Sequence, residues 1–189
     1  MKEKVSSSMD ERKKVVHVYC MQETLVLTVL GPDRTGIVDS LASAVNEHGG
    51  SWQESQMARL AGQFAGLVRV TCPADAAAGL TTALENLSSA DLRISVVQET
   101  SADDSEVRSS YHLDVLGNDR PGILSEVSRV LRSQNANIVE METRLEPAPE
   151  SGQAIFHTIA SVTLIQDASP EDLAHALEEL SPDLQVSLS

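Results

Sequence analysis

Apolar residues follow two rhythms along this chain, and the whole pattern occurs twice. Leu25–Leu30 is a short aliphatic run of the kind a buried strand presents. After a turn at Gly31–Gly36, Ile37, Leu41, Ala44, Val45 and His48 recur at helical spacing and predict one apolar stripe of a helix. Gly49-Gly50 ends that helix. Strands are expected near Trp52–Leu60 and Gln63–Cys72, joined by Ala61-Gly62. A second helix carries Ala76, Leu80, Ala83, Leu84 and Leu87 on one face, and Leu92, Ile94 and Val96 alternate as a half-buried last strand does.

The second half repeats this order. Leu27–Ile37 (LTVLGPDRTGI) reappears as Leu113–Ile123 (LDVLGNDRPGI), 86 residues on, with eight of eleven positions identical. The offset holds at Glu54 and Glu140, then widens to 93 where ALENL (83–87) meets ALEEL (176–180). The second copy therefore carries seven extra residues, placed around Glu146–Gly152, where proline and glycine content fits a lengthened hairpin loop. In that copy Ile123, Val127, Val130 and Leu131 form the first helical stripe. Ser169-Pro170 opens the second helix as cap and first-turn proline, and Leu184, Val186 and Leu188 close the unit. Two copies of this length read as two similar small domains, not as a solenoid, which needs three or more shorter units.

Each copy thus reads as strand–helix–strand–strand–helix–strand. The fold class is α+β, with two ferredoxin-like βαββαβ domains whose antiparallel four-stranded sheets carry both helices on one face. The expected boundaries are a basic, partly flexible leader at 1–23, a first domain at 24–100, a polar linker at 101–108 and a second domain at 109–189. Val15–Cys20 stays open between the start of the first strand and an added edge strand. The helix-free face of each sheet needs cover or stays wet, and pairing of copies or of chains is the economical cover.

The formal charge of the 189 residues is −14. It is +1 over 1–23, which holds all four lysines, −4 over 24–100 and −11 over 101–189. A folded part this acidic repels a phosphate backbone, so direct nucleic-acid binding is not expected. No apolar run reaches the ~18–20 residues that cross a bilayer. Cys20 and Cys72 lack metal or redox spacing, so free thiols, no metal, no cofactor and a cytoplasmic compartment are expected, with organelle targeting by the leader left open. The five histidines lie far apart, and no HExxH, GxSxG or GxxxxGK[ST] motif occurs, which argues against an enzyme. His48 reads as a capping or core residue. His112 and His157 are candidates to face each other across strands. Only Phe64 and Phe156 lie on the central strands, too few aromatics for an RNA-recognition domain.

The remaining chemistry sits in the repeated strand-to-helix turn. A helix start offers unpaired N–H groups and a partial positive charge, a natural seat for a carboxylate. Gly36 and Gly122 let a small ligand approach the backbone, and Asp33 and Asp119 can receive an ammonium. An amino acid carries both charges. The competing reading has Asp33 and Asp119 as N-caps, Gly31 and Gly117 as turn formers, and Arg34 and Arg120 as solvated surface charges.

The turns GPDRTGI (31–37) and GNDRPGI (117–123), with NANI (135–138) at the second copy's second strand, resemble the opening of the ACT domain. Two such domains with no catalytic domain attached resemble the glycine cleavage system transcriptional repressor group. The resemblance implies a non-catalytic regulatory protein that binds a small, glycine-like amino acid, forms a homodimer and controls a transcription-factor or enzyme partner. It implies a ligand site at an interface between ACT units, drawn from the turn and from the start of strand two. Carried over, those residues are Asp33, Arg34, Gly36 and Ile37 in copy one. In copy two they are Asn118, Asp119, Arg120, Gly122 and Ile123, with Asn137 on strand two. Copy one has Pro32 and Ser51 in place of Asn118 and Asn137, so copy two is expected to keep the better polar site. The rival implication is a regulatory subunit or dimerisation module of a metabolic enzyme with no ligand of its own.

Overall fold

A computed structural model describes residues 21–99, 108–147, 154–165 and 168–189. They form two compact units, before and after the 100–107 segment. The leader through residue 20, with Val15–Cys20, and most of the linker lie outside the described residues.

The first unit runs β1 (Gln22–Pro32), α1 (Ile37–Glu47), β2 (Ser51–Leu60), β3 (Gln63–Pro73), α2 (Ala77–Asn86) and β4 (Arg93–Gln98). Its sheet order is β2-β3-β1-β4, with every neighbouring pair antiparallel. The second unit runs β5 (Arg108–Asn118), α3 (Ile123–Ser133), β6 (Ala136–Pro147), β7 (Ala154–Ile165), α4 (Pro170–Glu178) and β8 (Gln185–Leu188). Its order is β6-β7-β5-β8, again antiparallel throughout. Both units are ferredoxin-like βαββαβ folds.

Alternation decides which face each strand buries. Leu25, Leu27 and Val29 of β1 point into the first core, where Leu41 and Val45 of α1 and Leu80 and Leu84 of α2 meet them. Leu113, Val115, Val127, Leu131, Leu173 and Leu177 build the second core in the same way. On α2 the buried small residue is Ala77, and Ala76 is the half-buried N-cap. At α4, Ser169 accepts a hydrogen bond from the Asp172 N–H at 3.1 Å, as its sequence indicates.

Both second strands bulge at one repeat position, between Trp52 and Glu54 and between Ile138 and Glu140. Beyond the bulge, Arg59 lies opposite Phe64 and Leu145 opposite Phe156, which puts both on the helix-covered face. The β6–β7 ladder closes at Pro147 and Ala154, and 148–153 lies outside the described residues. Glu146 pairs with Ile155 where Leu60 pairs with Gln63, an offset of 92 on the returning strand. Six of the seven extra residues thus belong to the hairpin, and one falls between β7 and α4.

On the face away from the helices, the first unit exposes Leu30, Leu67 and Val97. His157 and His112 do not face each other. His112 is opposite Ser161, and His157 Nε2 lies 3.1 Å from Asp114 Oδ1. His48 is the C-cap of α1, with Nδ1 2.8 Å from the Ala44 carbonyl.

Candidate functional site

Each turn is pinned by its own backbone. The Asp33 N–H donates to the Gly62 carbonyl and the Asp119 N–H to the Ala154 carbonyl, both at 2.9 Å, which ties turn to hairpin. The N-caps are Gly36 (φ 95°) and Gly122 (φ 92°), both left-handed, and no side chain caps either helix. Asp33 and Asp119 are therefore not N-caps. The capping position needs positive φ, which glycine reaches without strain and aspartate does not. A Cβ built on Gly36 or Gly122 meets nothing within 4 Å, so the first-turn backbone stays open from outside. Gly31 and Gly117 answer a different constraint. A Cβ would stand 2.6 Å from the Asp91 carbonyl oxygen in the first case and 2.7 Å from Leu184 Cδ2 in the second.

The shared Asp-Arg pair is used in opposite ways by the two units. In the first, Asp33 Oδ2 is bound by Arg59 Nε at 2.6 Å. Arg34 forms no ion pair among the described residues and lines a cleft of about 370 Å³ with Thr35, Gly36, Ile37 and Ser40. Leu41, Leu87, Leu92 and Ile94 complete its apolar wall. Ser40 donates its hydroxyl to the Gly36 carbonyl at 3.0 Å.

In the second unit Arg120 grips Glu126 with both nitrogens, at 3.0 and 2.5 Å. That hydrogen-bonded pair lowers the Glu126 carboxyl below its ordinary pKa and raises the Arg120 guanidinium above its own. Asp119 forms no ion pair among the described residues. It lines a cleft of about 280 Å³ with Gly122, Ile123, Thr143, Leu145 and Phe156. Arg144 also borders this cleft, and its guanidinium is bound by Glu142 at 2.5 Å. Asn118 is engaged elsewhere, since its N–H donates to Asp183 Oδ2 at 3.1 Å. Asp183 also accepts from Ser181, and these two bonds, the Ser181 one first, hold its carboxyl below the usual range. Pro32 has no N–H to donate at the equivalent place.

Asn137 does not join the turn of its own unit. It pairs with Thr163, whereas Asn118 pairs with Ile155, eight positions away along β7, or about 26 Å at the rise of a strand. Asn137 lines a shallow groove with Ser128, Arg132 and Asn135. Asp119 and Asn137 therefore do not meet within one copy of the second unit. Trp52, opposite Val70, likewise lies at the end of its sheet remote from Asp33.

Sequence reasoning did not single out Arg59, Ser40, Glu126, Leu145 or Asp183. Four of them carried a readable signal, because an 86-residue offset sets Ser40 against Glu126 and Arg59 against Leu145. Asp183 carried none, since its partner Asn118 is 65 residues away.

Residues 23–97 match the ACT domain family. The chain is 24% identical over 167 residues to the glycine cleavage system transcriptional repressor of Escherichia coli (strain K12), covering 87% of each chain, and matches that of Shigella flexneri equally. The crystal structure of an unknown protein from Galdieria sulphuraria, 29% identical, aligns over 89% of this chain and 98% of its own, at a TM-score of 0.73. No helix among the described residues is long and apolar enough to cross a membrane.

Proposed function

We propose, for a chain that is a tandem ACT-domain protein related to the glycine cleavage system transcriptional repressor, that it binds a small amino acid and thereby controls a protein partner. The observation that carries this reading is Asp119. Its carboxylate is neither a cap nor part of an ion pair among the described residues, and it stands on a cleft beside the open backbone of Gly122. An ammonium sits against Asp119, and a carboxylate sits against the first N–H groups of α3. The side chain of a small amino acid meets Ile123, Leu145 and Phe156. The protein acts without catalysis, and ligand occupancy changes its affinity for the partner. That partner is a protein, since a charge of −14 opposes contact with nucleic acid.

A second copy of the chain brings its Asn137 to the Asp119 turn, which one copy cannot do within its own sheet, and this favours a homodimer. The exposed Leu30, Leu67 and Val97 favour it too, because apolar side chains on an open sheet face gain from cover.

A thermal-stability scan across the twenty amino acids tests the reading. An amino acid at 100 times its Kd stabilises the folded protein by about 2.7 kcal/mol. Stability is a better readout than Trp52 fluorescence, given where Trp52 lies. A scan in which no amino acid shifts the melting temperature refutes the sensor and leaves the dimerisation or enzyme-subunit role.

A further inference from the structure

We infer that the two turns select opposite charges, the first a carboxylate and the second an ammonium, and that Arg59 and Glu126 are the residues that set this choice. The inference rests on the reading that the turns bind ligands, and it adds that they do not bind the same one.

Each turn has two flanks. One faces the second helix and last strand of its unit, and the other faces the hairpin. In the first unit the hairpin flank is occupied by the Asp33–Arg59 pair, and the open cleft lies on the helix flank beside Arg34. In the second unit the helix flank holds the Arg120–Glu126 pair, and the open cleft lies on the hairpin flank beside Asp119. An ion pair thus consumes one charge of the Asp-Arg dipeptide in each unit, and a different one each time.

Two exchanges produce the inversion. Arg59 gives way to Leu145, which has no charge to neutralise Asp119. Ser40 gives way to Glu126, and Ser40 is turned onto the Gly36 carbonyl and leaves Arg34 without a carboxylate partner among the described residues. The first cleft has no acidic residue in its lining, so its charge is that of Arg34 and the α1 N-terminus. In the second, Arg144 is held by Glu142, so the side-chain charge left for a ligand is that of Asp119, a full negative charge that outweighs the partial positive end of α3 beside it. Both walls are aliphatic or aromatic on the side away from the charge. The expected ligands therefore pair one charged head with a short branched hydrocarbon.

Isovalerate and isobutylamine separate the two charges on one hydrocarbon frame. Amide NMR of the full chain reads them at Gly36 and Gly122. Isovalerate is expected to move the Gly36 signal and leave Gly122, and isobutylamine the reverse. In the double variant Ser40→Glu with Arg59→Leu, which gives the first turn the residues of the second, Gly36 should follow the amine and lose affinity for isovalerate by about tenfold. The reciprocal variant, Glu126→Ser with Leu145→Arg, should make Gly122 follow isovalerate. Both substitutions copy residues the fold already carries at that position in the other unit.

Movement of both glycines by both probes, movement of neither, or unchanged preference in either folded variant overturns the inference. Segregated probes alongside a silent amino-acid scan would remove the sensor reading and leave this one standing. A positive scan with unsegregated probes would do the opposite.

Discussion

Asp33 and Asp119 occupy one position of the repeat, yet among the described residues only the first is neutralised, by an arginine on the neighbouring strand. Because Gly122 holds the capping position, Asp119→Ala should leave stability within about 0.5 kcal/mol of the parent, as for an exposed side chain without structural bonds. It should weaken a bound amino acid by tenfold or more. Denaturant unfolding and calorimetry on the same variant check both halves. A stability loss near 1 kcal/mol with intact binding would return Asp119 to a structural role. Glu126 gives the pH dependence. Its folded pKa is depressed by Arg120, so its contribution is complete above the unfolded value of about 4.3 and is lost as pH falls through the lower folded value. Melting temperatures taken from pH 6 downward should therefore fall less steeply for Glu126→Gln than for the parent in that acid range.

At the level of elements, the repeat explains why two glycines end the first strands. The chain before β4 crosses over Gly31, and the chain before β8 crosses over Gly117. The obstacle is backbone at Gly31 and the end of a leucine side chain at Gly117. Gly31→Ala should therefore cost about 1–3 kcal/mol, and Gly117→Ala less, because Leu184 can rotate away. Chemical denaturation of the two variants gives the comparison directly. Ser169→Ala should cost about 1 kcal/mol through loss of the α4 cap, in the same assay. The helical stripes, the second strands and the hairpin were legible because periodicity and the 86-residue offset are local or repeat-level signals, whereas the bulges in those strands appear only in the register. The division of the seven extra residues between hairpin and α4 was not, because it depends on register across β6 and β7.

For the whole molecule, the open sheet face and the distance between Asn137 and Asp119 bear on assembly. Sedimentation at micromolar concentration should give a dimer, and Leu67→Glu, at a position 51% exposed, should shift it toward monomer without unfolding the chain. A monomer in the parent protein would remove the shared-site argument. Of the candidate residues, Arg34, Gly36, Ile37, Asp119, Gly122 and Ile123 line the two clefts. Asp33, Asn118 and Arg120 are held by partners, and Asn137 stands at the other end of its sheet.

Hydrophobic spacing and internal duplication were enough to establish two βαββαβ units, their order of elements and the turn that concentrates the polar chemistry. These follow from residues close in sequence, or from one segment compared with its copy. Which charge of each turn stays available was decided only in three dimensions. Arg59 reaches Asp33 from a strand 26 residues on, through a bulge that sets which way it faces, and Glu126 meets Arg120 by coming round one helical turn. Ion pairing depends on distance in space, and the periodicity of one strand or helix does not contain it.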